Sequence, residues 1–266
     1  MRVVIVGASG RMGLAITRVA LEHPEVMIVG AIDRADSKFI GQDIGTLAGI
    51  VAIGTRISSD LTAALVEADV MIDFSSAEIT KQNIAACVAA RVAVLIGTTG
   101  LDADVEPAAA LAAEHVPLLI AANTSLGVTL LIELVRIAAR ALPDDFDIEI
   151  QEAHHRYKKD APSGTALALG RAAQAGRELP LSLETVRSGG SVRQGGEIGY
   201  AVLRGGDVVG DHTVAFLGAG ERVSLTHQAT DRAIFARGAL QAAKFLCRNQ
   251  PGRYQMSDII GLKTKA

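Results

Sequence analysis

Five of the six residues from His154 to Lys159 carry basic side chains, in a chain that holds 26 Lys and Arg against 29 Asp and Glu. Such a run can be a solvated face, or a place where anions are held and protons exchanged. Histidine titrates near neutrality, so His154 or His155 could pass a proton, while Lys158 could act as a cationic acid or grip a carboxylate. Three features favour chemistry here. The run begins where an alternating strand pattern ends, it holds two adjacent histidines, and it leads into Pro162-Ser163-Gly164-Thr165. That last stretch reads as a helix start whose N–H groups can hold a carboxylate. No further ligand stands at zinc spacing, so no metal is expected. His23 and His115 fall near helix ends and read as structural, and His212 and His227 read as sheet residues.

A second constellation, Gly7-Ala8-Ser9-Gly10-Arg11-Met12-Gly13, is a GxxGxxG turn. Glycine lets the backbone turn sharply and approach a pyrophosphate, and the following helix offers unpaired N–H groups at the positive end of its dipole. A glycine-rich turn alone is a weak signal. Here it follows an apolar strand, opens a helix, and is followed by Asp33 at the end of the next strand, where a carboxylate can accept from ribose hydroxyls. Arg34 could pair with a ribose 2′-phosphate, so both NADH and NADPH are expected as cofactors, although an exposed loop arginine would look the same. Gly97-Thr98-Thr99-Gly100 and Ala121-Ala122-Asn123-Thr124-Ser125 fall at the ends of later strands, where small polar residues can line a nicotinamide site; ordinary turn chemistry would explain either one alone.

The elements that must position these residues are legible from hydrophobic periodicity. Residues 3–6, 27–32, 69–74, 92–96 and 117–121 read as strands, apolar but for Asp69 and Asp73, and residues 11–23, 79–90 and 105–114 as helices between them. That alternation predicts a parallel sheet covered on both faces. Residues 34–60 show little pattern and read mostly as loop. After a long aliphatic helix over 126–142 the character changes: strand-like runs at 147–153, 182–187, 198–204, 208–217 and 221–228 are interrupted only by a helix over 165–175. This predicts an antiparallel or mixed sheet. A last long helix covers 231–246, and the glycine-rich residues 188–199 read as a mobile loop.

Composition bounds the rest. With 266 residues, 49% apolar and 21% charged, the chain buries a real core, and 27 glycines against 7 prolines exclude collagen and disorder. A net charge of −3 lacks the footprint of a nucleic-acid binder. Aromatics make up 3% and only Phe39 and Phe74 precede Phe146, so the first half packs with aliphatic side chains. Cys87 and Cys247 lie far apart in apolar surroundings and read as reduced core residues. No apolar stretch reaches the roughly 18 residues of a membrane span, and residues 1–7 run straight into a strand, so a soluble, cytoplasmic protein with no membrane partner is expected.

Taken together, GASGRMG at Gly7 to Gly13, Asp73-Phe74-Ser75, GTTG at Gly97 to Gly100, Ala121 to Asn123 with Ser125-Leu126-Gly127-Val128, and above all EAHHRYKKDAPSGTA at Glu152 to Ala166 resemble the 4-hydroxy-tetrahydrodipicolinate reductase family of lysine and diaminopimelate biosynthesis. GDHT at Gly210 to Thr213 and FARGA at Phe235 to Ala239 add to it, and the resemblance runs nearly end to end. It implies an α/β protein with two parts: a Rossmann-like domain over residues 1–125 and 238–266, and a mixed-sheet α+β substrate and oligomerisation domain over 126–237. A hinge would close the two, and the second domains would assemble a homotetramer. It further implies that His154 and Lys158 handle protons, that His155, Gly164 and Thr165 contact a cyclic dicarboxylate substrate, and that Gly7, Ala8, Ser9, Gly10, Arg11, Met12, Asp33, Arg34, Gly97, Thr98, Thr99, Ala121, Ala122, Asn123 and Thr124 line the cofactor site. Where many relatives place a basic residue and a Pro before the glutamate that matches Glu78, this chain has Ser76 and Ala77, which leaves cofactor preference and the NADH-to-NADPH ratio open. Two other readings stay open at this stage: a non-catalytic NAD(P)-sensing regulator, against which the intact His/Lys cluster counts, and another amino-acid pathway dehydrogenase, whose thioester-forming type would need a nucleophilic cysteine.

Overall fold

A computed structural model describes residues 1–177, 182–184 and 192–262. The chain divides into two compact units, residues 1–126 with 233–266, and residues 127–232.

In the first unit, β1 (Arg2–Val6), α1 (Arg11–Ala20), β2 (Met27–Ile32), α2 (Ile44–Leu47), β3 (Ile57–Ser58), α3 (Leu61–Leu65), β4 (Val70–Asp73), α4 (Ala77–Ala90), β5 (Ala93–Ile96), α5 (Val105–Ala113) and β6 (Pro117–Ile120) follow in order. The segment over 34–60 thus contains a short helix and a short strand where a loop is expected. Asp43 organises it: its carboxylate accepts from the N–H groups of Thr46, Ile53 and Gly54. Such two- to four-residue elements are too short to carry a hydrophobic period. α3 escapes sequence reading for the same reason.

The second unit opens with α6 (Leu126–Ala141), whose first residue still belongs to the first unit, and continues through β7 (Asp147–His154), α7 (Gly164–Arg177), β8 (Ser182–Glu184), β9 (Glu197–Arg204), β10 (Gly210–Gly218) and β11 (Glu221–Ala229). Then α8 (Ala233–Leu246), β12 (Gly252–Tyr254) and α9 (Met256–Ile259) return to the first unit. Residues 185–187 of the strand expected over 182–187, and 188–191 of the expected loop, lie outside the described residues. Glu197, expected as loop, begins β9, and the strand expected over 198–204 follows it.

Among the described residues, seven parallel strands make the first sheet, in the order β12-β6-β5-β4-β1-β2-β3. The order reverses direction between β1 and β4, which places the ligand crevice of such a sheet at the carboxyl ends of those strands. Both faces are packed. Ile16, Val19 and Ala20 of α1 and Ala236, Ala239, Leu240, Ala243 and Leu246 of α8 cover one, and Ile84 and Cys87 of α4 with Val105, Ala109 and Ala112 of α5 cover the other. Cys87 is therefore core. Cys247 is not: it follows buried Leu246 at the end of α8 and is exposed.

The second sheet has the order β11-β10-β7-β9-β8, antiparallel at β10 and parallel between β7, β9 and β8. Ile148 and Ile150 of β7, Ile198 and Tyr200 of β9, and Val214 and Phe216 of β10 pack against Leu131, Val135 and Ala139 of α6 and Leu169 and Ala173 of α7. Along β7 the buried positions alternate as Ile148, Ile150, Glu152, His154. The core stripe runs directly into two titratable groups.

Candidate active site

At the carboxyl end of β1, Gly7 has φ +75° and its N–H, with that of Ala8, donates to the carbonyl of Ile32 at 2.9 and 3.0 Å. A Cβ at Gly7 would stand 2.6 Å from the Phe74 carbonyl oxygen, and one at Gly13 would run into the carbonyls of Gly7 and Ala8. Glycine is thus required where the β1 and β4 ends meet and where α1 approaches its strand. No side chain caps α1 and its first turn carries no acid, so the positive end of the helix faces the turn. The carboxylate of Asp33 accepts from the Ser9 N–H at 3.1 Å, the Ser9 hydroxyl and the Arg34 N–H at 2.8 Å, which fixes it beside the turn. Arg34 is exposed, 3.5 Å from equally exposed Asp36.

The parallel sheet brings the other expected cofactor residues to the same edge, since Gly97 to Thr99 follow β5 and Ala121 to Thr124 follow β6. Their side chains divide. Thr98 is buried with its hydroxyl 3.2 Å from Asp73 Oδ1, Thr124 is buried with its hydroxyl donating to the Phe235 carbonyl at 2.7 Å, and Ala8 is buried, so these three present backbone only. Ser9, Arg11, Met12, Thr99, Ala122 and Asn123 keep exposed or half-exposed side chains. An uncapped helix end, a carboxylate held at the end of β2 and glycines that no Cβ could replace fit a dinucleotide.

In the second unit β7 ends at His154, whose Nδ1 lies 2.5 Å from Glu152 Oε2. Strand residues two apart share a face, which puts both groups together. Glu152 is fully buried, and its two oxygens also accept from both Nη atoms of Arg204 at 2.7 and 2.8 Å and from the Ser163 N–H at 2.9 Å. Burial alone would raise the Glu152 carboxyl. The Arg204 guanidinium, with His154 and the Ser163 N–H, outweighs it and holds the group below its ordinary range. Burial pushes His154 down, and Lys158 and Arg204 add to this against the pull of Glu152.

His212, across the sheet from Glu152 on β10, packs its ring edge-on to His154 with centroids 5.1 Å apart. Its Nε2 is 3.1 Å from Ser163 Oγ, which also accepts from the Ala166 N–H at the start of α7. Burial first, then the charge on His154, push the His212 ring down to about 4. Lys158 Nζ sits 2.9 Å from Asp160, and Arg204 donates to the Asp160 carbonyl at 2.6 Å, so the basic loop is tied to the same cluster. His155 is half-buried, and the Tyr157 N–H donates to its Nδ1 at 3.3 Å. Gly164 and Thr165 open α7 beside Ser163.

The sequence marks His154, His155, Lys158, Gly164 and Thr165 as site residues. Ser163 enters there only as part of the helix start and His212 as a sheet residue within GDHT, and neither Glu152 nor Arg204 has a separate role. The i, i+2 spacing of Glu152 and His154 on an alternating strand is a signal that could have found the pair. Arg204 comes from the β9 register, in which it lies opposite His154, and nothing local marks it.

The sequence model of the dihydrodipicolinate reductase N-terminus matches residues 1–124, and that of the C-terminus residues 127–260. The chain belongs to the dihydrodipicolinate reductase family. The 4-hydroxy-tetrahydrodipicolinate reductase of Anaeromyxobacter dehalogenans (strain 2CP-1 / ATCC BAA-258) is 49% identical over 265 residues, 98% of each chain. The 4-hydroxy-tetrahydrodipicolinate reductase 1 of Mesorhizobium japonicum is 48% identical over 266 residues, 98% of this chain and 97% of its own. A dipicolinate-bound dihydrodipicolinate reductase from Paenisporosarcina sp. TG-14 shares the fold with a TM-score of 0.79, at 22% identity and over 98% of this chain and 99% of that one. Dihydrodipicolinate reductases use NADH or NADPH, and their N-terminal domain is the nucleotide-binding, Rossmann-like one. Among the described residues no helix is long and apolar enough to cross a membrane.

Proposed function

We propose that this chain reduces 4-hydroxy-tetrahydrodipicolinate to tetrahydrodipicolinate, with loss of water, in diaminopimelate and lysine synthesis. The observation that carries the reading is the buried Glu152–His154 pair at the head of EAHHRYKKDAPSGTA, in a chain nearly half identical to reductases of that name.

A reduced nicotinamide, when bound at Gly7 to Met12, Asp33, Arg34, Gly97 to Thr99 and Ala121 to Thr124, supplies the hydride. The chain's own residues do the rest. The substrate is a cyclic dicarboxylate with a conjugated C=N. Its carboxylates are held by the backbone and hydroxyl of Gly164 and Thr165 at the start of α7 and by His155. The 4-hydroxyl leaves as water with a proton from the neighbouring ring carbon, which gives a C=C conjugated with the C=N, and hydride addition at C4 then pushes an electron pair along that conjugated system. Lys158 offsets that negative charge, and His154, with Lys158, delivers the proton to the atom left electron-rich. Lys158 is paired with Asp160 at rest and must release it to serve the substrate. The second unit is also the oligomerisation unit. The outer face of its sheet carries Gln151, Ala201, Leu203, Thr213 and Thr226, all exposed or half-exposed, and a homotetramer built through it fits the family resemblance.

The test is NAD(P)H oxidation with freshly prepared hydroxytetrahydrodipicolinate. His154→Ala and Lys158→Ala should each lower kcat by about 100-fold or more, the usual range for a lost general acid, with cofactor KM little changed. Full activity in both variants would remove the catalytic assignment. Cofactor binding by an inactive wild type would favour the sensing regulator.

A further inference from the structure

The nitrogen of His154 that exchanges the proton, and the groups that decide it, follow from the cluster around Glu152. Four donors converge on the two Glu152 oxygens: His154 Nδ1, two guanidinium N–H groups of Arg204 and the Ser163 N–H. An ionised carboxylate has only acceptor capacity, so His154 Nδ1 must carry the hydrogen in this contact. Its Nε2 is then the titrating atom. Beside His154, one residue past the paired Asp211 and Ala153, stands Gly210, where a Cβ would lie 3.0 Å from His154 Nε2 and 3.3 Å from Cδ2. A side chain at this position would crowd Nε2, and glycine has none.

We propose that Glu152, clamped by Arg204, is a positioning residue that locks His154 in the Nδ1–H tautomer, and that Gly210 keeps its Nε2 uncovered for the substrate. This deepens the proposed reduction and rests on it. In the step, the Nε2–H bond of the imidazolium breaks and its proton passes to the electron-rich substrate atom. The ring keeps its Nδ1–H on Glu152 throughout and regains the Nε2 proton from solvent. Glu152 also accepts from the Ser163 N–H that precedes α7, so one carboxylate sets the proton donor and the carboxylate-holding helix start in a common register. The charged and titratable groups that face the ring are Glu152 beside it on β7, Lys158 on the following loop, Arg204 on β9 and His212 on β10.

The first experiment needs no variant. Nitrogen-15 NMR of the histidine-labelled full chain without substrate should show a ring, assigned to His154 by its loss in His154→Ala, with Nδ1 protonated at high pH and Nε2 titrating. An Nε2–H tautomer would overturn the proposal. In the second, Glu152→Gln should lower kcat on the order of 100-fold or more, as for a histidine freed into the wrong tautomer, and leave the KM for NAD(P)H within about twofold. The basic limb of its kcat–pH profile should move to lower pH, because the imidazolium loses its anionic partner. Gly210→Ala should lower kcat without changing the tautomer. A Glu152→Gln protein with kcat within twofold of wild type and an unmoved profile would overturn the assignment. Should it fail to fold, the tautomer measurement and Arg204→Lys, expected to lose kcat in the same direction, decide. A wild type that shows the expected tautomer but does not turn over the substrate would sink the proposed reduction and leave the positioning geometry standing.

Discussion

A carboxylate taken out of water must find donors for both oxygens, and Glu152 finds four. Breaking such a buried pair from one side leaves an uncompensated charge. Arg204→Ala should therefore cost about 3–5 kcal/mol in denaturant unfolding, far more than loss of an exposed pair such as Arg34 with Asp36. His212 gives a pH signature. Its ring titrates near 4 in the folded chain and near 6.5 when unfolded, so the unfolded state binds the extra proton between those values. The stability it contributes is complete above about pH 6.5 and is lost as pH falls toward 4, on the order of 3 kcal/mol at full extent. Thermal melts across that window should show the loss, and His212→Asn should flatten it. At the cofactor end, Arg34→Ala should raise KM for NADPH roughly tenfold, the scale of one charge-assisted contact, and leave NADH within twofold; equal effects would remove its 2′-phosphate role.

At the scale of elements, the β1–α1 turn depends on backbone meeting backbone. Gly13→Ala would drive a methyl into the carbonyls of Gly7 and Ala8 and force α1 away from its strand. Overpacking of this kind costs about 1–3 kcal/mol, and a helix end displaced from the pyrophosphate should weaken NAD(P)H binding, measured by fluorescence titration, by roughly tenfold. The longer helices and strands follow their periodicity closely: β2 begins and ends where its apolar run does, and α4 differs from its expected span only at the first turn. Short elements were not legible. β12 is three residues long, and it is a strand because Gly252 to Tyr254 pair in register with Pro117 to Leu119, a contact no local pattern announces.

At the scale of the molecule, light scattering of the purified chain should give four times the monomer mass of 27.7 kDa if the second sheet assembles copies as proposed. A monomer would overturn that part of the reading. The two-unit organisation with α8 returning to the first sheet is visible in the packing of Ala236, Ala239, Leu240 and Ala243 of α8 on strands β4, β5 and β6. By itself the sequence determined which chemistries were present: the glycine turn, Asp33, and the His-His-Arg-Tyr-Lys-Lys run. Those signals are local, because a phosphate turn and a strand's alternation are set by residues a few positions apart. Tertiary structure decided which groups meet. Arg204 reaches Glu152 from 52 residues downstream, His212 reaches Ser163 from 49, and the buried carboxylate that gives His154 its direction becomes functional only when three strands set their registers. Register between distant strands is fixed by the packing of the whole sheet against its helices, and no short stretch of chain carries it.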